Sequence, residues 1–101
     1  MNRTLLKEFI SNRLDASVND VTNQEIFNAM DNCVFGSWGD GAYEVVDDGA
    51  HGYLMVLAKD KNYEVAKSCE SNSSKHYRLS NGTIMLEEDC DATKFLTLIG
   101  I

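Results

Sequence analysis

The sequence predicts a single α+β domain over residues 1–101, with two N-terminal helices followed by a mostly antiparallel sheet of about four or five strands. Two observations lead to this prediction. Apolar residues recur at helical spacing in residues 3–14 and 22–34, whereas beyond a glycine-rich stretch they follow the two-residue period of strands. Because the helices precede the strands instead of alternating with them, a doubly wound parallel sheet is disfavoured.

Two amphipathic helices are predicted in the N-terminal third of the chain. The apolar side chains of residues 3–14 fall on one helical face, formed by Leu5, Leu6, Phe9, Ile10 and Leu14. In residues 22–34, Thr22 is followed three positions later by Glu25, which is the capping-box pattern of a helix start. We expect this second helix to end near Gly36, because glycine readily adopts the left-handed conformation that closes a helix.

Two antiparallel hairpins are predicted in the strand-rich part of the chain. Residues 43–46 and 53–58 form the first, and the second of these segments is apolar on both faces, as expected of a central strand that is covered on both sides. Asn81 and Gly82 lie between two strand-like runs within residues 76–86. This dipeptide supplies the positive backbone angles of a tight hairpin turn, so the flanking runs should pair.

Two further segments are compatible with either a strand or a helix. Residues 62–69 fit a strand, although Asn62 could also cap a short helix. Residues 91–101 are rich in Leu, Ile and Thr and favour a closing strand over a short helix begun by Asp91. We therefore expect strands at both places.

Charge is the most informative feature of the composition, since sixteen acidic residues oppose nine basic ones and give a net charge of −7. No Lys or Arg occurs between Arg13 and Lys59, an interval that contains Asp15, Asp20, Glu25, Asp31, Asp40, Glu44, Asp47 and Asp48. Direct nucleic-acid binding depends on Lys and Arg, so it is not expected. A winged-helix DNA-binding domain is disfavoured for the same reason, because its recognition helix would be residues 22–34, which contain no Lys or Arg. Acidic charge either keeps a small protein soluble or steers it toward a basic protein surface.

No motif for catalysis, cofactor binding or membrane insertion is present. The glycines match neither a P-loop nor a dinucleotide-binding fingerprint, and His51 and His76 lie in no recognisable catalytic motif. The cysteines have none of the spacings of a zinc site and are expected to be buried free thiols: Cys33, Cys69 and Cys90. The longest apolar run, residues 53–58, is far shorter than the roughly 20 residues that span a bilayer. We therefore predict no catalytic residue, no cofactor, no membrane association and a cytoplasmic location.

Acidic residues cluster beside the predicted loop 47–52, where Asp47, Asp48 and His51 fall close together. Such oxygen and imidazole ligands could hold a divalent cation, but the ligand pattern of a calcium-binding EF-hand loop is absent. Asp and Gly are also what an exposed turn normally uses. We expect a solvated turn here and predict no metal ligand.

Trp38, the only tryptophan, lies in the stretch GSWGDG between the helical and strand-like segments. It is either an exposed contact residue or a lid that folds back over the core between helices and sheet. We predict a partner-binding surface formed by Trp38, Asp40, Glu44, Asp47 and Asp48. The partner expected for it is a basic protein surface with an apolar pocket.

These features favour a non-enzymatic acidic binding protein or inhibitor that blocks a basic surface of a protein partner, such as a nucleic-acid-handling complex. Small size, strong acidity and the lack of a catalytic motif are similar to the general traits of small phage-encoded inhibitors of host defence, including anti-CRISPR proteins. The alternative is a small metal- or ligand-binding domain, or an enzyme, with its site around residues 47–52. That alternative requires the loop side chains to converge with Tyr43, Tyr53 or Cys33.

Overall fold

The computed structural model describes residues 2–14, 22–70 and 77–100 as four α-helices and one five-stranded antiparallel sheet. The helices are α1 (Arg3–Arg13), α2 (Asn23–Asp31), α3 (Tyr63–Cys69) and α4 (Thr93–Ile99). The strands are β1 (Val34–Trp38), β2 (Tyr43–Asp47), β3 (Gly52–Val56), β4 (Tyr77–Arg78) and β5 (Ile84–Glu87), in the spatial order β1-β2-β3-β5-β4. The predicted α+β class, with two helices preceding an antiparallel sheet, is confirmed.

Side-chain caps begin the two N-terminal helices. The Asn2 side chain accepts a hydrogen bond from the Leu5 N–H at 2.8 Å, and Thr22 accepts one from the Glu25 N–H at 3.2 Å. Helix α2 ends at Asp31, so the prediction that it continues to the region of Gly36 is wrong. The chain instead enters β1, because valine and phenylalanine favour extended backbone and the ladder with β2 satisfies the peptide groups.

The sheet is covered on both faces, which gives the domain three layers. Alternate side chains of its strands contact α1 and α2 in one apolar cluster that includes Phe9, Ile10, Val46, Tyr53, Met55 and Met85. The remaining ones contact α3 and α4 in a second cluster that includes Val45, Leu54, Val56, Leu86, Ala66 and Phe95. Strand β3 is buried at every position, so the predicted central strand with two covered faces is confirmed.

Both predicted hairpins are present. Strands β2 and β3 pair antiparallel, as do β4 and β5. The first ladder includes the pair Asp47–Gly52, so the predicted loop 47–52 is too long. At the second turn Gly82 has φ +90°, whereas Asn81 does not have the positive φ expected of it. The Asn81 side chain instead accepts a hydrogen bond from the Thr83 N–H at 3.0 Å. The first residue of the predicted strand, His76, lies outside the described residues.

Two predicted strands are helices instead. Within the predicted strand 62–69, Tyr63–Cys69 form α3; Asn62 precedes the helix, but its side chain makes no capping hydrogen bond. The C-terminal segment forms α4 after a π-helical turn at Glu88–Ala92. Both helices cover the sheet face opposite α1 and α2, which would otherwise expose the second apolar cluster to water. Tertiary packing therefore decides these short segments, while residue 101 lies outside the described part of the chain.

Within the described residues, no helix combines the length and the apolar character that crossing a bilayer requires.

Candidate functional site

The β1–β2 hairpin carries most of the residues predicted to bind a partner. Its register places Ser37 opposite Glu44 and Val34 opposite Asp47. Directly opposed residues share a face, so Glu44 lies on the sheet face covered by α1 and α2, and Asp47 lies on the other. Asp40 is exposed in the turn that joins the strands. The hairpin therefore presents a carboxylate at its tip and one on each face.

Trp38 ends β1 on the face covered by α3 and α4, where it packs against the second apolar cluster and stays partly accessible. Its indole lines a cleft of about 230 Å³ together with Glu88, Asp89, Ala92, Thr93 and Leu96. The side chain therefore partly covers the core and partly borders an open cleft. We call this space the Trp38 cleft.

The absence of a side chain at Gly52 leaves room for two residues that line the Trp38 cleft. A Cβ atom at this buried position would lie 3.4 Å from Trp38 Cη2 and 2.8 Å from Glu88 Oε2. A side chain at this position would therefore contact the indole and force the Glu88 carboxylate to move. The cleft consequently has an aromatic wall and a carboxylate rim, which is the chemistry that accommodates a cationic side chain.

Glu88 and Asp89 were not among the predicted site residues. They follow β5 in sequence, and the pairing of β5 with β3 carries them to the side of the sheet where Trp38 lies. The run of acidic residues after a predicted strand, LEEDCD, was the one available signal. Asp15 and Asp20 of the acidic interval lie outside the described residues.

Asp48 is held inside the fold by several contacts. Its Oδ2 lies 2.8 Å from Arg13 Nε, and its Oδ1 accepts hydrogen bonds from the N–H groups of Ala50 and His51, both at 2.9 Å. The side chain is only 7% exposed. Asp47 next to it is exposed and accepts a hydrogen bond from the Gly49 N–H. Asp48 therefore anchors the loop to α1, whereas Asp47 remains on the surface.

The loop histidine faces a different set of carboxylates from those expected. His51 Nδ1 lies 3.7 Å from Glu87 Oε1, and His51, Glu87 and Asp89 place potential ligand atoms within 4.8 Å of one another. Asp48 points to Arg13 instead, so the three loop residues Asp47, Asp48 and His51 do not converge on one point.

Two groups that were considered as partners for the loop remain protonated at neutral pH. Burial raises the pKa of Tyr53 to about 12, with Asp48 adding to the effect and Arg13 opposing it. Burial also raises the pKa of the Cys33 thiol, as do the nearby charges of Asp48 and Asp47. The Tyr43 hydroxyl instead contacts Asp60 and Asn62, away from the loop.

Comparison with known proteins gives no matching family model, no similar curated protein and no similar solved structure.

Proposed function

We propose that this chain is a non-enzymatic binding protein that docks an acidic edge onto a basic surface of a protein partner and thereby blocks that surface. The observation that carries the proposal is the Trp38 cleft, whose indole wall and carboxylates, Glu88 and Asp89, suit an inserted Lys or Arg side chain. A cation over an indole is attracted by the ring, and nearby carboxylates add charge-assisted hydrogen bonds.

The distribution of charge supports the same partner. The β1–β2 hairpin adds Asp40, Glu44 and Asp47 to the edge on which Trp38 lies, and the whole chain has a net charge of −7. A field of one sign speeds association with a surface of opposite sign and opposes association with phosphate-rich ligands. Nucleic acid is therefore not part of the proposed binding.

Inhibition follows if the partner uses its basic surface to hold nucleic acid. An acidic protein that occupies such a surface excludes the phosphate backbone without chemistry of its own. We infer that the proposed mechanism is similar to that of small phage-encoded anti-defence proteins, the anti-CRISPR proteins among them, because small size and strong acidity are general traits of such inhibitors.

Affinity capture with charge-reversal variants tests this function. The double variant Asp40→Lys with Glu44→Lys is compared with wild type and with a control, Glu25→Lys with Glu64→Lys, which changes the net charge equally at exposed helix positions. Proteins retained from a bacterial lysate are identified by mass spectrometry, and the affinity of the retained partner is then measured. We expect a basic partner that the control variant binds normally and the hairpin variant binds about tenfold more weakly, which corresponds to about 1.4 kcal/mol.

The same affinity measurement at low and at physiological salt completes the test. The difference between the hairpin variant and wild type should be largest at low salt, because screening shortens the reach of exposed charges. If both charge-reversed proteins bind the partner as wild type does, the acidic hairpin has no part in binding.

A second candidate function is a small metal-binding domain, favoured by the approach of His51 to Glu87 and Asp89. One imidazole and two carboxylates can supply three ligands to Zn²⁺, with water in the fourth position. Calorimetric titration of wild type and His51→Ala with Zn²⁺ tests it. Binding that the histidine variant loses would support the site, whereas equal uptake by both proteins would exclude it.

A further inference from the structure

Strand β1 is an uncharged edge of the sheet. Among the residues that the structure describes, β1 pairs with β2 alone, and its sequence VFGSW contains no ionisable side chain. Val34 is 68% exposed and Phe35 is 47% exposed. Natural proteins usually protect an exposed edge with charges, proline or a bulge, because it can pair with another chain. The acidic side chains beside the middle of this edge, Glu44 and Asp47, lie on the neighbouring strand β2.

The ladder identifies the peptide groups that point outward. The Asp48 N–H donates to the His51 carbonyl at 3.1 Å, which makes that pair a hydrogen-bonded pair of the β2–β3 hairpin. Bonded and non-bonded pairs alternate, so the peptide groups of Val45 and Asp47 face β1. Their partners are Gly36 and Val34, which leaves the N–H and C=O groups of Phe35 and Ser37 facing away from β2.

Gly36 makes the middle of this edge flat. A Cβ atom added there would meet no other atom within 4 Å. Glycine inside a strand often marks a place where another backbone approaches closely. The open space beside Gly36 is therefore available to the side chains of an added strand.

We propose that an extended basic segment of the protein partner adds to β1 as a sixth strand, an inference that rests on the proposed function. Neighbouring strands lie about 4.8 Å apart, so the added strand would lie about 10 Å from β2. Its long Lys or Arg side chains cross the small residues Gly36 and Ser37 to reach Glu44 on one face and the Trp38 cleft on the other. Main-chain hydrogen bonds supply affinity in this mode of recognition, and alternate side chains supply specificity.

Charge favours a basic segment over a second copy of this chain as the strand that adds to β1. Two β1 strands paired antiparallel would bring the Asp40 turn of one copy beside Asp31 of the other, and each copy has a net charge of −7. Like charges in such proximity oppose association. A basic segment meets attraction at the same positions.

Replacement of one outward-facing N–H tests the proposal. The probe is a blocked peptide of about seven residues in which pairs of lysines alternate with pairs of valines, so that lysine occurs on both faces of the added strand. The control peptide has glutamate in place of each lysine. Binding is followed by backbone amide NMR in wild type, Ser37→Pro and the matched variant Ser37→Ala, which keeps the N–H. Proline is tolerated on an edge strand where the N–H faces solvent, and thermal melting checks that the variant folds.

We expect the lysine peptide to bind wild type and Ser37→Ala alike, to bind Ser37→Pro at least tenfold more weakly, and to shift the Phe35 and Ser37 amide signals. Slower hydrogen exchange at these two amides in the wild-type complex would support strand addition independently of any variant. Equal binding by the proline and alanine variants, or equal binding of the glutamate peptide, would overturn the proposal. A dimer of the free protein that Ser37→Pro abolishes would assign the edge to a second copy instead.

The variants also separate this inference from the proposed function. If Ser37→Pro binds the captured partner normally while Asp40→Lys with Glu44→Lys weakens binding, strand addition is wrong and the acidic docking surface stands. If only the proline variant loses the partner, the edge pairs with another chain and the requirement for a basic partner is wrong.

Discussion

Neighbouring aspartates at residues 47 and 48 have opposite roles. Successive residues of an extended chain point in opposite directions, so Asp47 is exposed while Asp48 is directed toward Arg13. The sequence predicted both as surface acids because the doublet DD followed by glycine is typical of a turn. The partner of Asp48 comes from a helix far away in the sequence, which local pattern alone does not reveal.

Replacement of the inward aspartate should destabilise the fold. Asp48→Ala leaves the Arg13 guanidinium without its ion-pair partner Asp48 and removes the acceptor of two N–H groups. We therefore expect a loss of about 2–4 kcal/mol in the free energy of unfolding. Asp48→Asn keeps an acceptor and should lose less. Urea denaturation at neutral pH measures both variants.

The control for this comparison is Glu64→Ala on the exposed side of α3, which should change stability by no more than about 0.5 kcal/mol. Equal losses for Asp48→Ala and the control would mean that the Arg13 pair contributes nothing to stability.

Tyr53 should make the protein sensitive to alkali. Because burial raises its pKa from 10 to about 12, the folded state favours the neutral phenol. The resulting contribution is complete below pH 10 and is lost as the pH rises toward 12, by roughly 2–3 kcal/mol. Urea denaturation at about pH 9 and about pH 12 should reveal this loss in wild type and a smaller one in Tyr53→Phe. The same loss in both proteins would assign the alkaline destabilisation to other groups.

At the scale of elements, local sequence patterns correctly predict the helices and turns whose pattern is long or depends on a chemically specific residue. Helix α1 extends over enough turns to separate helical from strand spacing, and Gly82 supplies the positive φ of the second hairpin turn. Helix α3 has only seven residues, and its apolar positions Tyr63 and Val65 also alternate as in a strand. Its helical state depends on the sheet face that it covers, which is information from elsewhere in the chain.

Strand β1 and the Trp38 cleft were beyond local prediction for the same reason. Gly36 inside VFGSW resembles a helix end, and only the ladder with β2 makes the segment a strand. Trp38 was identified from its sequence context, but Glu88 joins it through the pairing of β3 with β5. The acidic hairpin could be predicted because its residues are contiguous in sequence.

Two glycines should respond differently to alanine. Gly82 has φ +90° in the second hairpin turn, and an added Cβ would lie 3.2 Å from the Ala58 Cβ, so Gly82→Ala should cost about 1–3 kcal/mol. Gly36 lies in extended backbone with open space beside it, and Gly36→Ala should leave stability unchanged within about 0.5 kcal/mol. Thermal melting of the two variants gives the comparison. Equal melting temperatures of the two variants would show that the second hairpin turn does not require glycine at position 82, where φ is positive.

At the scale of the whole molecule, the net charge of −7 should govern how fast the partner is found. Raising NaCl from about 20 mM to about 150 mM should slow association several-fold while changing dissociation much less, because salt screens long-range attraction before contact. Stopped-flow kinetics with the captured partner measures both rates. If salt changed only the dissociation rate, the charges that matter would lie within the binding interface and not around it.

From the strand order we expect the pairing of β3 with β5 to be the slowest step of folding. Strands β1, β2 and β3 are joined by short turns, as are β4 and β5, whereas the pairing of β3 with β5 encloses the segment between Val56 and Ile84. Closing that loop costs more chain entropy than forming either hairpin, and non-local pairing of this kind slows folding. Substitutions at the β3–β5 junction should therefore slow refolding, while substitutions in β1 should chiefly accelerate unfolding. The edge proposed to meet a partner would thus be assembled outside the nucleus and free to vary without delaying the formation of the core.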